Sequence, residues 1–234
     1  MRRFFGKIED KFAIVEGDEF LHLKNVLRMR EGDDLIVFDG TKYEYLGKIV
    51  EIKKNSAKIE ITKKQICKAL PKKNITLYQA FTKREKLELI VQKAVELGVT
   101  KFVPFDSSFC VAKDAIGKKD RLEKIVISAC KQCECSVPME IGDSLKFADM
   151  LKSASKSDIV IFANERAGDY FDYTKLKNVK NIAIIVGPEG GFSEEEKQKI
   201  VDMGAESVSL GKRILRSETA SIVLCGIVSV LSEN

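Results

Sequence analysis

Residues 34–62 alternate apolar and polar side chains with the period of a β-strand. The alternating segments form two pairs, which turn at Asp39-Gly40 and at Asn55-Ser56. Successive side chains of a strand point to opposite faces of a sheet, and Asp-Gly is a favoured hairpin turn. The pattern therefore predicts two β-hairpins in the first third of the chain.

A short helix is predicted before these hairpins. Leu23, Val26 and Leu27 fall on one helical face, Met29 is aligned less strictly, and the pattern breaks at Gly32. The first third of the chain is therefore expected to be a small β-barrel with a helix set into it.

The pattern changes beyond a linker. Residues 65–74 combine a proline with three lysines and have no sustained period, which predicts a domain boundary near residue 72. Strands are predicted at 75–81, 99–105, 158–163, 181–186 and 206–210, and an amphipathic helix is predicted from Leu87, Ile90, Val91, Ala94 and Val95, ending at Gly98. Strands that alternate with helices predict a parallel sheet covered on both faces, and hence an α/β domain.

Composition is that of an ordinary globular protein, with one asymmetry. The 234 residues are 44% hydrophobic and 32% charged, which excludes disorder as the main state. The net charge of +5 lies entirely in residues 1–73, which hold 17 basic and 12 acidic side chains against 23 of each in the remainder. A basic first module and a neutral second module suggest different partners.

Apolar runs and cysteines indicate the class of protein. No run approaches the roughly 18 to 20 apolar residues of a membrane span, and the start lacks the apolar core of a signal peptide, so a cytoplasmic protein is expected. The six cysteines are expected to be reduced. A zinc site at Cys130, Cys133 and Cys135, with Cys110, is the alternative, but paired CxxC motifs and a partner histidine are missing, so no metal is predicted.

A glycine-rich loop follows the predicted strand at 181–186. It consists of Gly187, Pro188, Glu189, Gly190 and Gly191, and Ser193 with Glu196 predicts a capping box for the next helix. Ligands of open α/β sheets bind at the carboxyl ends of strands, where glycine lets the backbone approach them closely. The loop is neither a P-loop nor a GxGxxG fingerprint, and a tight strand-to-helix turn is the alternative interpretation.

A second loop, residues 210–219, follows the last predicted strand and carries the cations Lys212, Arg213 and Arg216. Two loops at neighbouring strand ends can form one pocket. The helix that follows is apolar on nearly every side, which indicates burial inside the fold or at a subunit interface.

Four strings together resemble a known family. In chain order, HLKNVLRMREGDDLIVFDG, REKLELIVQKAVELGVTKFVPF, GPEGGFSEEE and LGKRILRSETA are similar to the RsmE family of SPOUT-type 16S ribosomal RNA uridine N3-methyltransferases. The resemblance implies a PUA-like RNA-binding β-barrel at residues 1–72 and a SPOUT domain with a trefoil knot at residues 73–234. It also implies S-adenosyl-L-methionine as cofactor, uridine 1498 as target, and a homodimer. Another SPOUT activity, such as ribose 2'-O-methylation, and a non-catalytic ribosome assembly factor are the alternatives.

The resemblance implies roles for residues of the second domain. Uridine N3 carries a proton that must leave before or during methyl transfer, so the site needs a base or a group that stabilises the uridine anion. Arg216 can donate paired hydrogen bonds to uracil oxygens, with phosphate binding as the alternative. Glu218 and Glu189 are candidate bases, with helix-dipole stabilisation and an orienting role as alternatives. The residues expected to surround the cofactor are Asn164, Glu165, Gly187, Pro188, Glu189, Gly190, Gly191, Leu210, Gly211, Ile214 and Leu215.

Basic residues are expected to contact RNA phosphates, with a solvated charged face as the alternative for each. They are Arg2, Arg3, Lys24, Arg28, Arg30, Lys83 and Arg84. The single histidine, His22, is expected to pack or to touch RNA. Phe109 and Cys135 stand where relatives generally carry arginine, so RNA must be held differently there.

Overall fold

The computed structural model describes residues 1–111, 119–165 and 171–233, and the chain divides into two compact units. The first comprises Met1–Leu70 and Cys130–Pro138, and the second comprises Pro71–Ala129 and Met139–Asn234. The expected division at residue 72 therefore differs in one respect, because residues 130–138 pack with the first unit. Long-range hydrogen bonds hold them there, such as that from Ser136 Oγ to the Thr41 carbonyl (2.8 Å), and such bonds leave no periodic signal in the sequence.

The first unit is built on a six-stranded sheet, and it contains the two predicted hairpins. Its strands are β1 (Arg2–Phe5), β2 (Lys7–Glu9), β3 (Phe12–Glu16), β4 (Asp34–Phe38), β5 (Tyr43–Ile52) and β6 (Ser56–Ile66), in the order β1-β4-β5-β6-β3-β2. β4 pairs with β5 and β5 with β6 in antiparallel register, whereas β1 runs parallel to β4. Alternate residues such as Val37, Ile49 and Ile59 point inward and form the core.

The predicted helix of this unit is shorter and wider than expected. It consists of α1 (Gly17–Leu21) and a π-helical segment (His22–Val26), and the Leu27 amide donates to the His22 carbonyl five residues earlier (3.0 Å). Leu23 is buried as predicted, but Val26 is 69% exposed. The wider turn rotates later side chains away from the positions that a 3.6-residue period gives them, so the prediction for Val26 was wrong.

The second unit contains the predicted parallel sheet. Its strands are β7 (Asn74–Ala80), β8 (Lys101–Phe105), β9 (Glu140–Ile141), β10 (Ile159–Ala163), β11 (Asn181–Val186) and β12 (Glu206–Val208), in the order β12-β10-β11-β7-β8-β9. Its helices are α2 (Arg84–Glu96), α3 (Lys119–Cys133, whose last residues belong to the first unit), α4 (Phe147–Ala154), α5 (Glu194–Asp202) and α6 (Ser217–Glu233), with a 3-10 helix at Tyr173–Leu176. Every described strand pair of this sheet is parallel.

Helices cover both faces of this sheet. On one face, Phe162 and Ile185 pack with Met150 of α4 and Ile200 of α5. On the other, α6 contacts α2 and strands β7, β10 and β11. The prediction of an α/β unit with a sheet covered on both sides is confirmed, as is the buried face of α2.

The last helix is not buried on all sides within the chain. Val223 and Val230 are 37% and 59% exposed, and Leu231 is also exposed, whereas Leu224 and Val228 are fully buried. None of the described helices is long and apolar enough to cross a membrane.

Candidate active site

A cavity of about 270 Å³ opens at the carboxyl ends of three neighbouring parallel strands of the second unit. Ala163 ends β10, Val186 ends β11 and Val208 ends β12, and all three line it. Loops leave a parallel sheet at this edge, and the crevice between them is the usual ligand site of open α/β sheets. The cavity volume is close to that of small-molecule pockets.

The glycine loop and the loop after β12 line this cavity together, as the sequence predicted. All the residues expected to surround a cofactor are among the lining: Asn164, Glu165, Gly187, Pro188, Glu189, Gly190, Gly191, Leu210, Gly211, Ile214 and Leu215. The other lining residues are Ala163, Val186, Phe192, Lys197, Val208, Arg213, Ser217 and Ala220, of which the sequence had singled out Arg213 as a cation of the second loop. Val186 and Val208 are buried ends of strands, whose sequence signal is that of ordinary core positions.

A buried hydrogen-bond network joins the glycine loop to the start of α6. Gln79, at the end of β7, is fully buried, and its amide donates to Ser217 Oγ (3.1 Å) and to the Gly187 carbonyl (3.4 Å). Ser217 Oγ also donates to the Gly187 carbonyl (2.6 Å), and Ser221 Oγ donates to Gln79 Oε1 (2.5 Å). Because buried amides and hydroxyls are costly to leave unpaired, this network fixes the two cavity loops relative to each other.

Glu196 ties a third loop to the glycine loop. It is buried, completes the predicted capping box by accepting from the Ser193 amide (3.0 Å), and also accepts from Ser107 Oγ (3.2 Å) and the Ser108 amide (2.8 Å). Residues 107 and 108 of the loop that follows β8, next to Phe109, are thereby held against the start of α5.

Lys86 is a charged residue of the site that sequence reasoning missed. Its Nζ lies 3.4 Å from Glu189 Oε1 and 3.3 Å from Glu218 Oε2, so one cation faces both candidate bases. Burial opposes ionisation of Glu189, but bonds from its own amide and the Lys83 amide, together with the Lys86 ammonium, lower its net pKa. Glu189 is therefore held ionised, which favours the orienting role over that of a general base.

Arg216 and Glu218 stand at either side of Ser217 where α6 begins. Arg216 is exposed, whereas the Glu218 side chain is 13% exposed and faces Lys86. Neither residue lines the cavity itself, so both stand next to it. An exposed guanidinium beside a cavity is available to an incoming anionic or carbonyl-bearing substrate.

The basic residues expected to contact RNA have different environments. Arg2, Lys24, Arg28, Arg30 and Lys83 are exposed, and Arg84 is exposed but paired with Glu88 (2.9 Å).

Arg3 does not fit the RNA-contact prediction. Its side chain is 5% exposed, pairs with the buried Glu44 (2.5 Å) and donates to the Glu134 carbonyl (3.2 Å). A buried, paired guanidinium cannot reach a phosphate, so Arg3 has a structural role that links β1 to residues 130–138. Arg3 points inward from β1, whereas Arg2 is exposed. The sequence contains no signal that distinguishes these two adjacent arginines.

The cysteine-rich segment lies in the first unit. Cys130 and Cys135 are buried, and burial raises the pKa of the Cys135 thiol. The described residues contain no group of three or more His, Cys, Asp or Glu side chains placed to hold a metal ion. His22 packs its ring edge-on against Phe4, with ring centres 6.2 Å apart.

Comparisons with known proteins agree with this arrangement. The family model for an RNA methyltransferase domain matches residues 68–229, and the family model for an RNA methyltransferase PUA domain matches residues 15–62. The ribosomal RNA small subunit methyltransferase E of Rickettsia conorii is 34% identical over 228 residues, which cover 96% of this chain and 91% of that protein. The chain belongs to the ribosomal RNA small subunit methyltransferase E family. The α/β unit that bears the cavity is thus its methyltransferase domain.

The similarity to solved methyltransferase structures extends over both units of the chain. A methyltransferase of Legionella pneumophila in complex with the bound cofactor SAM superposes with a TM-score of 0.90 at 28% identity, covering 97% of this chain and 96% of that one. A ribosomal RNA small subunit methyltransferase E from Neisseria gonorrhoeae, bound to S-adenosyl methionine, has a TM-score of 0.88 at 29% identity and covers 99% of this chain and 98% of that one.

Proposed function

We propose that this family member transfers the methyl group of S-adenosyl-L-methionine to N3 of uridine 1498 in the 16S ribosomal RNA of the small subunit. The observation that carries the proposal is the cavity at the carboxyl ends of β10, β11 and β12, which brings together all the residues that the sequence predicted to bind the cofactor. The relatives with bound S-adenosyl methionine supply its chemical class.

The residues of the cavity fit this cofactor. A Cβ at Gly187 would lie 3.1 Å from the Phe192 ring, so a larger residue there would require the ring to shift, whereas glycine packs against it directly. Leu210, Ile214 and Leu215 are suited to adenine and the methionine chain, and the backbone groups of the glycine loop can hydrogen-bond polar parts of the molecule. When bound, S-adenosyl-L-methionine supplies an activated methyl group.

The protein's own residues orient the uracil and stabilise its deprotonated form, so that the N3 proton leaves to solvent water before the methyl group is transferred. Arg216 donates hydrogen bonds to O2 or O4 of the uracil and so stabilises the deprotonated base. Lys86 keeps Glu189 ionised and in place beside the glycine loop. Glu218, which shares that cation, acts on the helix terminus and on the position of Lys86. Holding donor and acceptor in line supplies most of the rate enhancement.

We further propose a homodimer and a trefoil knot in the methyltransferase domain, together with cytoplasmic location, where ribosomal RNA is found. The exposed stripe of Val223 and Val230 on α6, with the half-buried Ile227 between them, supports the dimer, because an apolar helix face suits a second copy of the chain. Ser217 Oγ donates to the Gly187 carbonyl, so the two segments that the proposed knot would thread past each other are in contact.

Mass spectrometry of 16S rRNA from cells that lack the gene tests the target. We expect the 3-methyluridine to disappear and to return when purified protein and cofactor are added to unmodified small subunits. Persistence of the modification at full level would assign the target to another enzyme.

Calorimetry with S-adenosyl-L-methionine decides between an enzyme and a non-catalytic assembly factor, since a folded protein without affinity for the cofactor is not a methyltransferase.

A further inference from the structure

Phe109 is the exposed phenylalanine among those described in the second unit. Its side chain is 49% exposed, whereas Phe102, Phe105 and Phe162 are fully buried, and no other described ring pairs with it. Single exposed apolar residues are common on protein surfaces. Exposure alone is therefore no evidence that Phe109 binds a ligand, and its position and surroundings decide the question.

The ring stands at the rim of the proposed cofactor cavity. A Cβ built on Gly190 would lie 3.0 Å from Phe109 Cβ, and Gly190 lines the cavity. Phe109 itself is not among the lining residues, so its ring lies outside the space that a small molecule would fill. A polymeric substrate that inserts one nucleotide into the cavity therefore has this side chain within reach at the rim.

The loop that carries Phe109 is fixed on both sides of it. Ser107 Oγ and the Ser108 amide donate to the buried carboxylate of Glu196, and the Cys110 amide donates to the Ser107 carbonyl (3.0 Å). Ser107 and Cys110 are buried. The exposed ring is thus presented by an ordered support, which reduces the entropy lost when a ligand binds to it.

Cations lie on the same side of the sheet. Arg213 lines the cavity, and the Lys83 amide donates to Glu189 of the glycine loop (3.3 Å), which places the exposed Lys83 beside that loop. An exposed aromatic ring next to basic side chains is how proteins bind single-stranded nucleic acid: bases stack on the ring while cations contact the backbone.

We propose that Phe109 is a stacking platform for the unpaired base adjacent to the nucleotide that is methylated. The proposal rests on the proposed function, because it requires an RNA substrate whose target base enters the cavity. The neighbouring base stays outside, where the ring of Phe109 meets it. Stacking is nearly independent of base identity, so this contact adds affinity and orientation and little sequence selectivity.

Substitutions at this position test the proposal with an unmodified transcript of the target region as probe. Phe109→Ala is expected to weaken RNA binding about tenfold or more, and Phe109→Tyr to keep it near the wild-type value. The salt dependence of binding should not change in Phe109→Ala, since no charge is lost. Calorimetry with S-adenosyl-L-methionine should give wild-type affinity in both variants. Equal RNA affinity of Phe109→Ala and wild type overturns the proposal.

The absence of tryptophan from the sequence allows a direct measurement. Phe109→Trp introduces a single tryptophan, whose emission should be quenched when RNA binds and a base stacks on the indole. Ser155→Trp is the matched control, because Ser155 is exposed in the turn before β10, at the opposite edge of the sheet. Emission of Phe109→Trp that stays unchanged at an RNA concentration shown to saturate the protein overturns stacking.

The failure of stacking and the failure of the proposed function give different results. If the wild-type protein transfers no methyl group to the target RNA, both proposals fail. If the wild type methylates its target while Phe109→Ala binds and methylates equally well, the function stands and only the role of Phe109 is lost.

Discussion

The ammonium group of Lys86 distinguishes the two candidate bases, Glu189 and Glu218, from Arg216. Lys86 lies 3.4 Å from Glu189 and 3.3 Å from Glu218, so both carboxylates already have a cation as neighbour. Despite its partial burial, hydrogen bonds from backbone amides and the Lys86 ammonium lower the pKa of Glu189, and a carboxylate of lowered pKa is a poor proton acceptor near neutral pH. No described carboxylate pairs with Arg216, which is exposed beside the cavity, so Arg216 is the residue that we propose to act on the uracil.

Replacing Arg216 tests this assignment. Arg216→Ala should retain affinity for S-adenosyl-L-methionine and lose methyl transfer by about a hundredfold, the usual effect of removing one group that stabilises a developing negative charge. Single-turnover assays with saturating RNA and cofactor calorimetry give the two quantities. Lys212→Ala, a neighbouring cation that does not line the cavity, is the control. Equal losses of cofactor affinity and turnover in Arg216→Ala would make Arg216 a cofactor ligand instead.

Gln79 positions the cavity loops without touching the substrate. Gln79→Leu should lower the free energy of unfolding by about 1–3 kcal/mol, because hydroxyls of Ser217 and Ser221 lose buried partners. Cofactor affinity should fall as well, since the Gly187 backbone is no longer fixed. Urea unfolding and calorimetry measure the two effects. Wild-type cofactor affinity in Gln79→Leu would show that packing alone positions the loop.

At the scale of secondary-structure elements, the period of apolar residues predicted regular helices correctly and failed where the backbone is irregular. Leu87, Ile90 and Val91 predicted the buried face of α2, because a standard helix repeats every 3.6 residues. Val26 was misplaced because the π-helical segment changes that repeat. The capping box at Ser193 was predictable, since its two partners are three residues apart. The second use of Glu196, holding Ser107 and Ser108, links residues nearly ninety positions apart and had no local signal.

The start of α5 therefore should depend on Glu196 more than on any other acidic residue of that turn. Glu196→Ala is expected to cost about 2–4 kcal/mol of unfolding free energy, because three donors lose a buried charged acceptor. Glu195→Ala, next to it in sequence, removes an exposed carboxylate paired with Lys199 and should leave thermal stability unchanged. Equal melting temperatures for the two variants would show that the capping box adds nothing to stability.

At the scale of the whole molecule, charge and apolar surface are divided between the two units. The sequence assigned the basic excess to the first unit, and the fold exposes Arg2, Lys24, Arg28 and Arg30 there while burying Arg3. The second unit carries the cavity and the exposed apolar stripe of α6. This division fits the proposal that the first unit contributes cations to RNA binding, while the second unit binds the cofactor and a second copy of the chain.

Neutralising the exposed cations should weaken RNA binding without affecting the cofactor. The combined change of Arg2, Arg28 and Arg30 to Gln is expected to reduce the slope of log affinity against log salt concentration by about 2, at roughly 0.7 for each lost phosphate contact. Filter binding at several salt concentrations measures the slope. Changing Lys152 and Lys156 of the second unit to Gln is the control. An unaltered slope in the triple variant would exclude these residues from the RNA interface.

The α6 stripe predicts how the proposed dimer can be broken. Val223→Glu combined with Val230→Glu should yield a monomer, because burying two carboxylates in an apolar interface is strongly unfavourable. Light scattering after size-exclusion chromatography gives the mass, and circular dichroism checks the fold. Val201→Glu on α5, a position 46% exposed, should leave the oligomeric state as it is. A wild-type protein that elutes as a monomer at all concentrations would contradict the dimer.

The sequence by itself determined strands β4 to β8 and β10 to β12, helices α2, α5 and α6, the two loops of the cavity and the basic character of the first unit. These features depend on residues close together in the chain, whose spacing reflects side-chain direction and backbone conformation. Only the tertiary structure decided that Lys86 faces two carboxylates, that Gln79 joins the cavity loops, that residues 130–138 pack with the first unit and that Arg3 is buried. Each of these depends on pairing between distant segments, which produces no period in the sequence, because partners are brought together only when the chain folds.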